Sequence, residues 1–444
     1  MSETVDMTKG KPLPLILHFS LPMLAGNILQ QLYNMVDTIV VGRGIGVEAL
    51  AAVGSTGSLN FLILGFVMGM TQGVSILVSQ FFGSKDMRRL HQSITMSILI
   101  SVIVCVLITV LSLIFTQPVL TMMGTPSQIM DEATRYISII FACISISYAY
   151  NFLSGILRAV GDSKHPVAAL IISFVVNVIL DVAFVIGFKM GVAGAAYATV
   201  IAQGVSALYC LYVYRNISFL QLNREDWSFN LTLFSRSFTL SLPVAIMNSI
   251  TAVGCMVLQA GVNAFGTDHI AAYSASGKVM MILEQIGISF GYAISTFTGQ
   301  NMGAGNLTRI RKTVHHTVIM LAGVHVILAA VLLFVMKPLI IMMVGTSSPD
   351  VITYSMQFLT VTAIALMILS VLWVYRCCLQ ALGDTVLPMI SGFAEFISRI
   401  VCTWLLPGLI GWYGIVFAEV SAWIAACLVL IPSLYYRLSK LSKP

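Results

Sequence analysis

Asn27, Gln30, Asn34 and Asp37 recur at spacings of three and four inside a long apolar run. Those spacings put all four on one face of a helix, with Ile28, Leu32, Met35 and Ile39 on the other. A greasy helix with one polar stripe lines something wet. Asp37 is the sharpest point. An ionised carboxylate at the centre of a bilayer helix costs about 2.5–3.5 kcal/mol on insertion scales, so such a residue marks a functional site by default. The bland alternative, that Asp37 lies near enough to its helix end to reach interfacial water, stays open.

Other apolar runs carry matching polar groups. Ser173, Asn177 and Asp181 are spaced by four, as are Thr199 and Gln203, and Arg135-Tyr136 opens a further run. At 1.5 Å rise per residue, Asp37, Tyr136, Asp181 and Thr199 all fall within about 12 Å of the outer membrane boundary. Four polar groups at one depth suggest one site. Two carboxylates with Asn and Thr oxygens suit Na⁺ at Asp37, Asn177, Asp181 and Thr199. In a low-dielectric pocket the same two carboxylates would share a proton. The rival reading is unrelated polar residues, each bonded to a neighbouring helix. Tyr136 completes the candidate cation set. Asn34, Gln30, Gln203 and Glu284 are the candidate lining of a substrate cavity. No other cofactor is called for beyond H⁺ or Na⁺.

The second half of the chain holds a different set: Glu284-Gln285, Arg376, Glu395, Arg399 and Glu419. Glu395 and Arg399 form an i, i+4 pair in the favourable order. They read as a structural ion pair, since pairing is the less costly way to bury charge. Glu284 has no partner on its own helix, and substrate recognition, proton carrying and an unseen buried partner all remain open for it. Arg376 and Glu419 are given no role.

These residues need long apolar elements to hold them. Of 444 residues, 58% are hydrophobic and 9% charged, against about 25% charged in soluble domains. Twelve runs are long enough to span a bilayer: 13–42, 50–79, 92–116, 133–159, 166–187, 192–214, 232–262, 271–300, 313–336, 350–380, 386–408 and 411–436. With the N-terminus inside, 17 of the 23 Lys and Arg fall on the cytoplasmic face. Arg158, Arg236, Arg376 and Lys443 are counted among them. Both termini are therefore expected in the cytoplasm.

The second half repeats the first. Ser20-Leu-Pro22 returns as Ser241-Leu-Pro243, Gln80-Phe-Phe-Gly-Ser as Gln300-Asn-Met-Gly-Ala, and Met122-Met-Gly-Thr125 resembles Met343-Val-Gly-Thr346. Leu157-Arg-Ala-Val-Gly-Asp162 returns as Leu379-Gln-Ala-Leu-Gly-Asp384. Anchors in order at a nearly constant shift mark an internal repeat. Six spans per repeat insert both halves in the same orientation. The expected architecture is an all-α polytopic membrane protein of twelve transmembrane helices, in two pseudo-twofold-related six-helix lobes. Its parts are a cytoplasmic tail 1–12, an N-lobe 13–215, a cytoplasmic linker 216–231, a C-lobe 232–436 and a tail 437–444.

Several function classes are set aside. The net charge of +6 is spread over short loops, which is no nucleic-acid footprint. Eight cysteines lie in apolar runs without paired spacing and read as small hydrophobes. His315-His316 and His325 lack metal-protease spacing. No Walker A loop, dinucleotide fingerprint or nucleophile elbow is found, so the chain does not read as an enzyme. No cleavable signal peptide is read at the N-terminus.

The stretch Gln31-Leu-Tyr-Asn-Met-Val-Asp37-Thr-Ile-Val-Val-Gly-Arg43, followed by Ala49-Leu-Ala-Ala-Val-Gly54, resembles the first-span signature of the multidrug and toxic compound extrusion (MATE) transporters. Gly155-Ile-Leu-Arg-Ala-Val-Gly-Asp162, Ile270-Ala-Ala-Tyr, Glu284-Gln285 and Thr298-Gly-Gln300 fit it too. The acid in span 1 and Asn177-x-x-x-Asp181 in span 5 look most like the prokaryotic DinF-like branch. The resemblance implies a V-shaped cavity between two lobes. It also implies cation-coupled antiport, in which H⁺ or Na⁺ enters while an amphipathic, often cationic, small molecule leaves. Asp37, Asn177, Asp181 and Thr199 match that branch's cation positions, and Tyr136 its span 4 tyrosine. Span 7 has no acid between Leu231 and Gly266, which puts a C-lobe cation site in doubt. A monomer in the cell membrane is expected. The rival within the wider superfamily is a lipid-linked oligosaccharide flippase.

Overall fold

In lipid no water meets the backbone, so each apolar run must satisfy its own N–H and C=O groups, and a helix does so. The structure, a computed structural model, describes residues 4–345 and 348–442. Residues 1–3 and 443–444 of the two tails, with Lys443, and Thr346 of the repeat lie outside the described residues. Among the described residues there are thirteen α-helices and no strand. They are α1 Pro12–Gly44, α2 Val47–Gly83, α3 Met87–Met122, α4 Ser127–Ala142, α5 Ile144–Ala159, α6 Lys164–Asp181, α7 Val192–Arg215, α8 Leu231–Asn263, α9 Thr267–Gly303, α10 Leu307–Val344, α11 Pro349–Ala381, α12 Val386–Ile410 and α13 Trp412–Leu441.

Eleven spans are long and apolar enough to cross a membrane by themselves, α6 being counted with the π-helical turn Val182–Gly187 that extends it. The twelfth differs from expectation. Instead of one continuous span over 133–159, α4 and α5 meet at Cys143 and bend by 47°. The Cys143 backbone, at φ −105° and ψ 18°, has left the helical region, and no glycine or proline in the sequence announces that break. The chain is a multi-pass membrane protein.

The internal repeat is written in the backbone. Gly46, Gly124, Gly161 and Gly191 have positive φ, and so do Gly266, Gly345, Gly383 and Gly411, each 220 to 222 residues further on. These residues turn the chain between helices. At one further pair the halves differ: Gly305 has φ 75°, and Lys85, 220 residues before it, has φ 58°. A side chain in the left-handed region carries strain that glycine avoids.

Two compact units form. Unit 1 holds the described residues up to Met7 and Leu21–Ala245, and unit 2 holds Thr8–Ser20 and the chain from Ile246 onward. The divisions fall inside α1 and α8, whereas the sequence reading places them at the linker 216–231. In unit 1 the reason is close packing on α2. A Cβ at Gly73 would lie 2.2 Å from the Cα of Ser241, and one at Gly69 would lie 2.4 Å from the Cα of Ala245. Small residues four apart on both helices let the backbones touch, a common device where lipid offers no hydrophobic drive. Also in unit 1, α2 packs on α5, α5 on α7 and α6 on α7. In unit 2, α9 packs on α11 and α12 on α13. The linker folds against unit 1, where His91 Nε2 meets the Phe219 carbonyl at 2.7 Å and Thr95 Oγ1 donates to the Asp226 carbonyl at 2.7 Å.

Candidate functional site

Asp37 on α1 and Asp181 on α6 come from opposite ends of the 144-residue interval between them, yet their carboxyl groups reach hydrogen-bonding range of each other. Asp181 and Asn177 are fully buried. The i, i+4 spacing of Asn177 and Asp181 stacks them on one face of α6. With its amide oriented to match its neighbours, Asn177 donates Nδ2–H to Asp181 Oδ2 at 2.7 Å and accepts the Thr199 backbone N–H at 3.3 Å. Asp181 is the last α-helical residue before the π-turn Val182–Gly187. Such turns cluster at functional sites because they re-aim a side chain and free a carbonyl.

The site is closed by phenols. Tyr33 Oη donates to Thr199 Oγ1 at 3.4 Å, and its ring packs edge-on to Phe174 with centroids 6.3 Å apart. Tyr136 on α4 is 7% exposed and lies in electrostatic range of Asp37, Tyr33 and Asp181. The structure thus brings Asp37, Asn177, Asp181, Thr199 and Tyr136 together in unit 1. Tyr33 is the residue the sequence reading omitted. It stands four residues before Asp37, on the same helical face, and a phenol next to a buried carboxylate was the available signal.

The chemistry of the pair follows from its donors. Asp37 Oδ1 and Asp181 Oδ1 are buried and receive no hydrogen bond among the described residues. Two carboxylate oxygens repel unless something positive lies between them. One proton satisfies both. The Asn177 oxygen accepts the Thr199 backbone N–H and Thr199 Oγ1 accepts from Tyr33 Oη, and each keeps a further lone pair. Among the described residues no group of three or more His, Cys, Asp or Glu side chains is placed to hold a metal ion.

The candidate cavity residues fare differently. Gln30 and Asn34 are exposed on α1. Gln203, one turn after Thr199, is half-buried and accepts a hydrogen bond from Ser147 Oγ on α5. Glu284 belongs to unit 2 and makes no hydrogen bond or ion pair among the described residues; Arg399, Glu419 and Glu395 lie in its electrostatic range.

Unit 2 turns the expected ion pair into a chain. Arg376 Nη2 donates to Glu395 Oε2 at 2.8 Å, Arg399 Nη2 reaches Glu395 Oε1 at 3.3 Å, and the same nitrogen reaches Glu419 Oε1 at 2.9 Å. Arg376 and Arg399 are 4% and 1% exposed. The cytoplasmic tally is corrected on this point: Arg376 sits inside α11, consumed by Glu395, and not in a loop. Arg158 likewise bonds Ser154 on its own helix. Without Arg376, sixteen Lys and Arg remain on the face that the sequence reading takes as cytoplasmic.

Comparison with known proteins places these sites in a family. The MatE family pattern matches the chain twice, over residues 22–183 and 243–405. The probable multidrug resistance protein YpnP of Bacillus subtilis (strain 168) is 27% identical over 308 residues, covering 69% of this chain and 68% of its own. The multidrug export protein MepA of Staphylococcus haemolyticus (strain JCSC1435) is 22% identical over 408 residues, covering 92% of this chain and 90% of its own. The outward-facing structure of a multidrug resistance MATE family transporter of the MOP superfamily superposes with a TM-score of 0.91 at 21% identity, over 100% of both chains. At that identity the match speaks for the fold.

Proposed function

The chain belongs to the MatE family, and on that premise we propose that it is a secondary active antiporter that exports amphipathic organic compounds in exchange for protons. The observation that carries the ion is the close approach of the Asp37 and Asp181 carboxyl groups, each with a buried Oδ1 that receives no hydrogen bond among the described residues. The likeness to the probable multidrug resistance protein YpnP and the multidrug export protein MepA supports the substrate class. The acids of spans 1 and 5, Asp37 and Asp181, support a likeness to the DinF-like branch. It works as a monomer in the cell membrane with both termini in the cytoplasm.

In this reading the proton enters between Asp37 and Asp181 from the outer side. With the proton bound, the pair is held together and α1 stays docked on α6. Without it, like charges push the two helices apart. Pro22 leaves α1 one backbone hydrogen bond short, so the helix has a place to bend. The proton shifts the balance only because it binds one arrangement more tightly than the other. Tyr33, Thr199 and Asn177 hold the carboxyls in register. Gln30 and Asn34, exposed on α1, face the transported compound.

A flippase for lipid-linked oligosaccharides needs free cationic side chains for a pyrophosphate headgroup. Arg376 and Arg399 are both bonded to carboxylates, which weighs against it. The test uses proteoliposomes loaded with a fluorescent cationic compound. A pH gradient and a Na⁺ gradient are imposed separately on wild type and Asp37→Asn. Efflux driven by the pH gradient, absent in the variant, supports the reading. Efflux driven by Na⁺ alone replaces the proton, and no efflux under either gradient removes the antiport.

A further inference from the structure

The charges of unit 2 do not balance. Two guanidinium groups, Arg376 and Arg399, face three carboxyl groups, Glu395, Glu419 and Glu284. Four of these five are joined in one chain of ion pairs. Glu284 is left over, half-buried on α9 and without a hydrogen bond or ion pair among the described residues.

The neighbours of Glu284 are few and can be named. Arg399 and Glu395 reach it from α12 and Glu419 from α13. Tyr273 on α9 itself and Cys255 on α8 lie in its range. On α11 the charged group is Arg376, held by Glu395. His325 on α10 is bonded at both ring nitrogens, to the Leu321 carbonyl and to Ser370 Oγ. Lys278, earlier on α9, is exposed. No free cation is therefore available to Glu284 among these groups.

We infer that Glu284 is a second proton-binding position, in unit 2, where one proton brings the Arg376–Glu395–Arg399–Glu419 network to neutrality. The proton goes to Glu284 and not to its neighbours for a structural reason. Protonating Glu395 would leave the buried Arg376 without an ion pair, and protonating Glu419 would strip Arg399 of its shorter contact. Protonating Glu284 breaks nothing. The step is a plain association: Glu284 carboxylate takes one proton and becomes the neutral acid.

Arg399 makes the position responsive. Its Nη2 carries both ion pairs, while Nε and Nη1 are buried with no partner among the described residues. Nη1 occupies the space over Gly254, 2.9 Å from where a Cβ would stand. With Glu284 neutral, Arg399 stays with Glu395 and Glu419. With Glu284 ionised, a third carboxylate competes for the idle nitrogens, and the pairing of α12 with α13 loosens.

The inference does not depend on transport and is tested without it. The purified full-length chain in detergent is titrated from about pH 9 to about pH 5 in weak buffer, and bound protons are counted alongside the infrared band of neutral carboxyl groups. Glu284→Gln should bind about one proton per chain fewer than wild type and lose one component of that band, while Asp37→Asn loses a different one. Equal proton counts for wild type and E284Q overturn the inference. So does a count suppressed by NaCl but not by choline chloride, since that assigns the carboxylate to a metal cation. Should E284Q fail to fold, Glu284→Asp is titrated instead: a displaced midpoint supports the site and an unchanged one overturns it.

Discussion

Glu395 is the keystone of the unit 2 network, and Glu395→Gln is the change that exposes it. Its Oε2 holds Arg376 at 2.8 Å and its Oε1 holds Arg399 at 3.3 Å. The carboxylate is 5% exposed on its side chain, so no water replaces it. Removing its charge leaves Arg399 with Glu419 but Arg376 with no ion pair. Stranding one member of a buried pair costs about 3–5 kcal/mol. Glu419→Gln is milder. Glu419 serves one arginine, which keeps Glu395, and its side chain is 16% exposed. One hydrogen bond to a charged group is worth about 1.5–3 kcal/mol, with the lower end expected here. Replacing Arg376 and Glu395 together by Leu removes charge from both sides and should recover most of the E395Q loss, because apolar replacement of a buried pair is often near neutral. The assay is thermal unfolding of the detergent-solubilised chain, followed by the loss of its monodisperse elution peak. The expected order of stability is wild type, then E419Q, then E395Q, with the double variant above E395Q. E395Q as stable as wild type, or less damaging than E419Q, would refute the reasoning.

Two further outcomes follow from unit 1. Tyr33→Phe deletes a single 3.4 Å hydrogen bond to Thr199 and keeps the ring on Phe174; with about 0.5–1.5 kcal/mol at stake, gradient-driven efflux should fall by roughly two- to tenfold with little change in thermal stability, and full activity would exclude Tyr33 from the site. Gly73→Ala puts a methyl group 2.2 Å from the Ser241 Cα, so α2 and α8 must separate at a cost of about 1–3 kcal/mol, read as a lower unfolding temperature; an unchanged one would mean that the helix contact is not close.

Much of the site was legible because membrane helices make polar residues conspicuous. Asp37, Asn177, Asp181 and Thr199 stood out by type and spacing, and depth alone grouped them. The spans and the repeat were legible for a similar reason: a constant shift survives divergence of the side chains. What the sequence hid falls into three kinds. Tyr33 was not singled out, since a phenol costs little in a helix until its partner is known. Arg376 was counted to the cytoplasmic face because it lies near the end of its span, but its burial depends on Glu395 on the next helix. The bend at Cys143 has no local cause in residue type; packing of α4 and α5 on α2 imposes it.

The two halves share a backbone and divide the chemistry. At the shift that aligns them, Tyr33 becomes Gly254, Asp37 becomes Leu258, Asn177 becomes Arg399, Asp181 becomes Thr403 and Thr199 becomes Glu419. The first two exchanges remove the phenol and the carboxylate at the matching positions of α8, and the third reaches into the vacated space, since Arg399 Nη1 lies over Gly254. In the first half the acid on α1 comes within hydrogen-bonding range of the acid on α6, a contact that in the proposed reading one proton makes or breaks. In the second, the acid on α13 meets an opposite charge on α12, a contact that needs no added ion to hold. A repeat kept identical would give two equal switches. In the proposed reading one half carries a carboxyl pair that depends on a passing proton, and the other carries a chain of ion pairs whose charge balances when Glu284 is protonated.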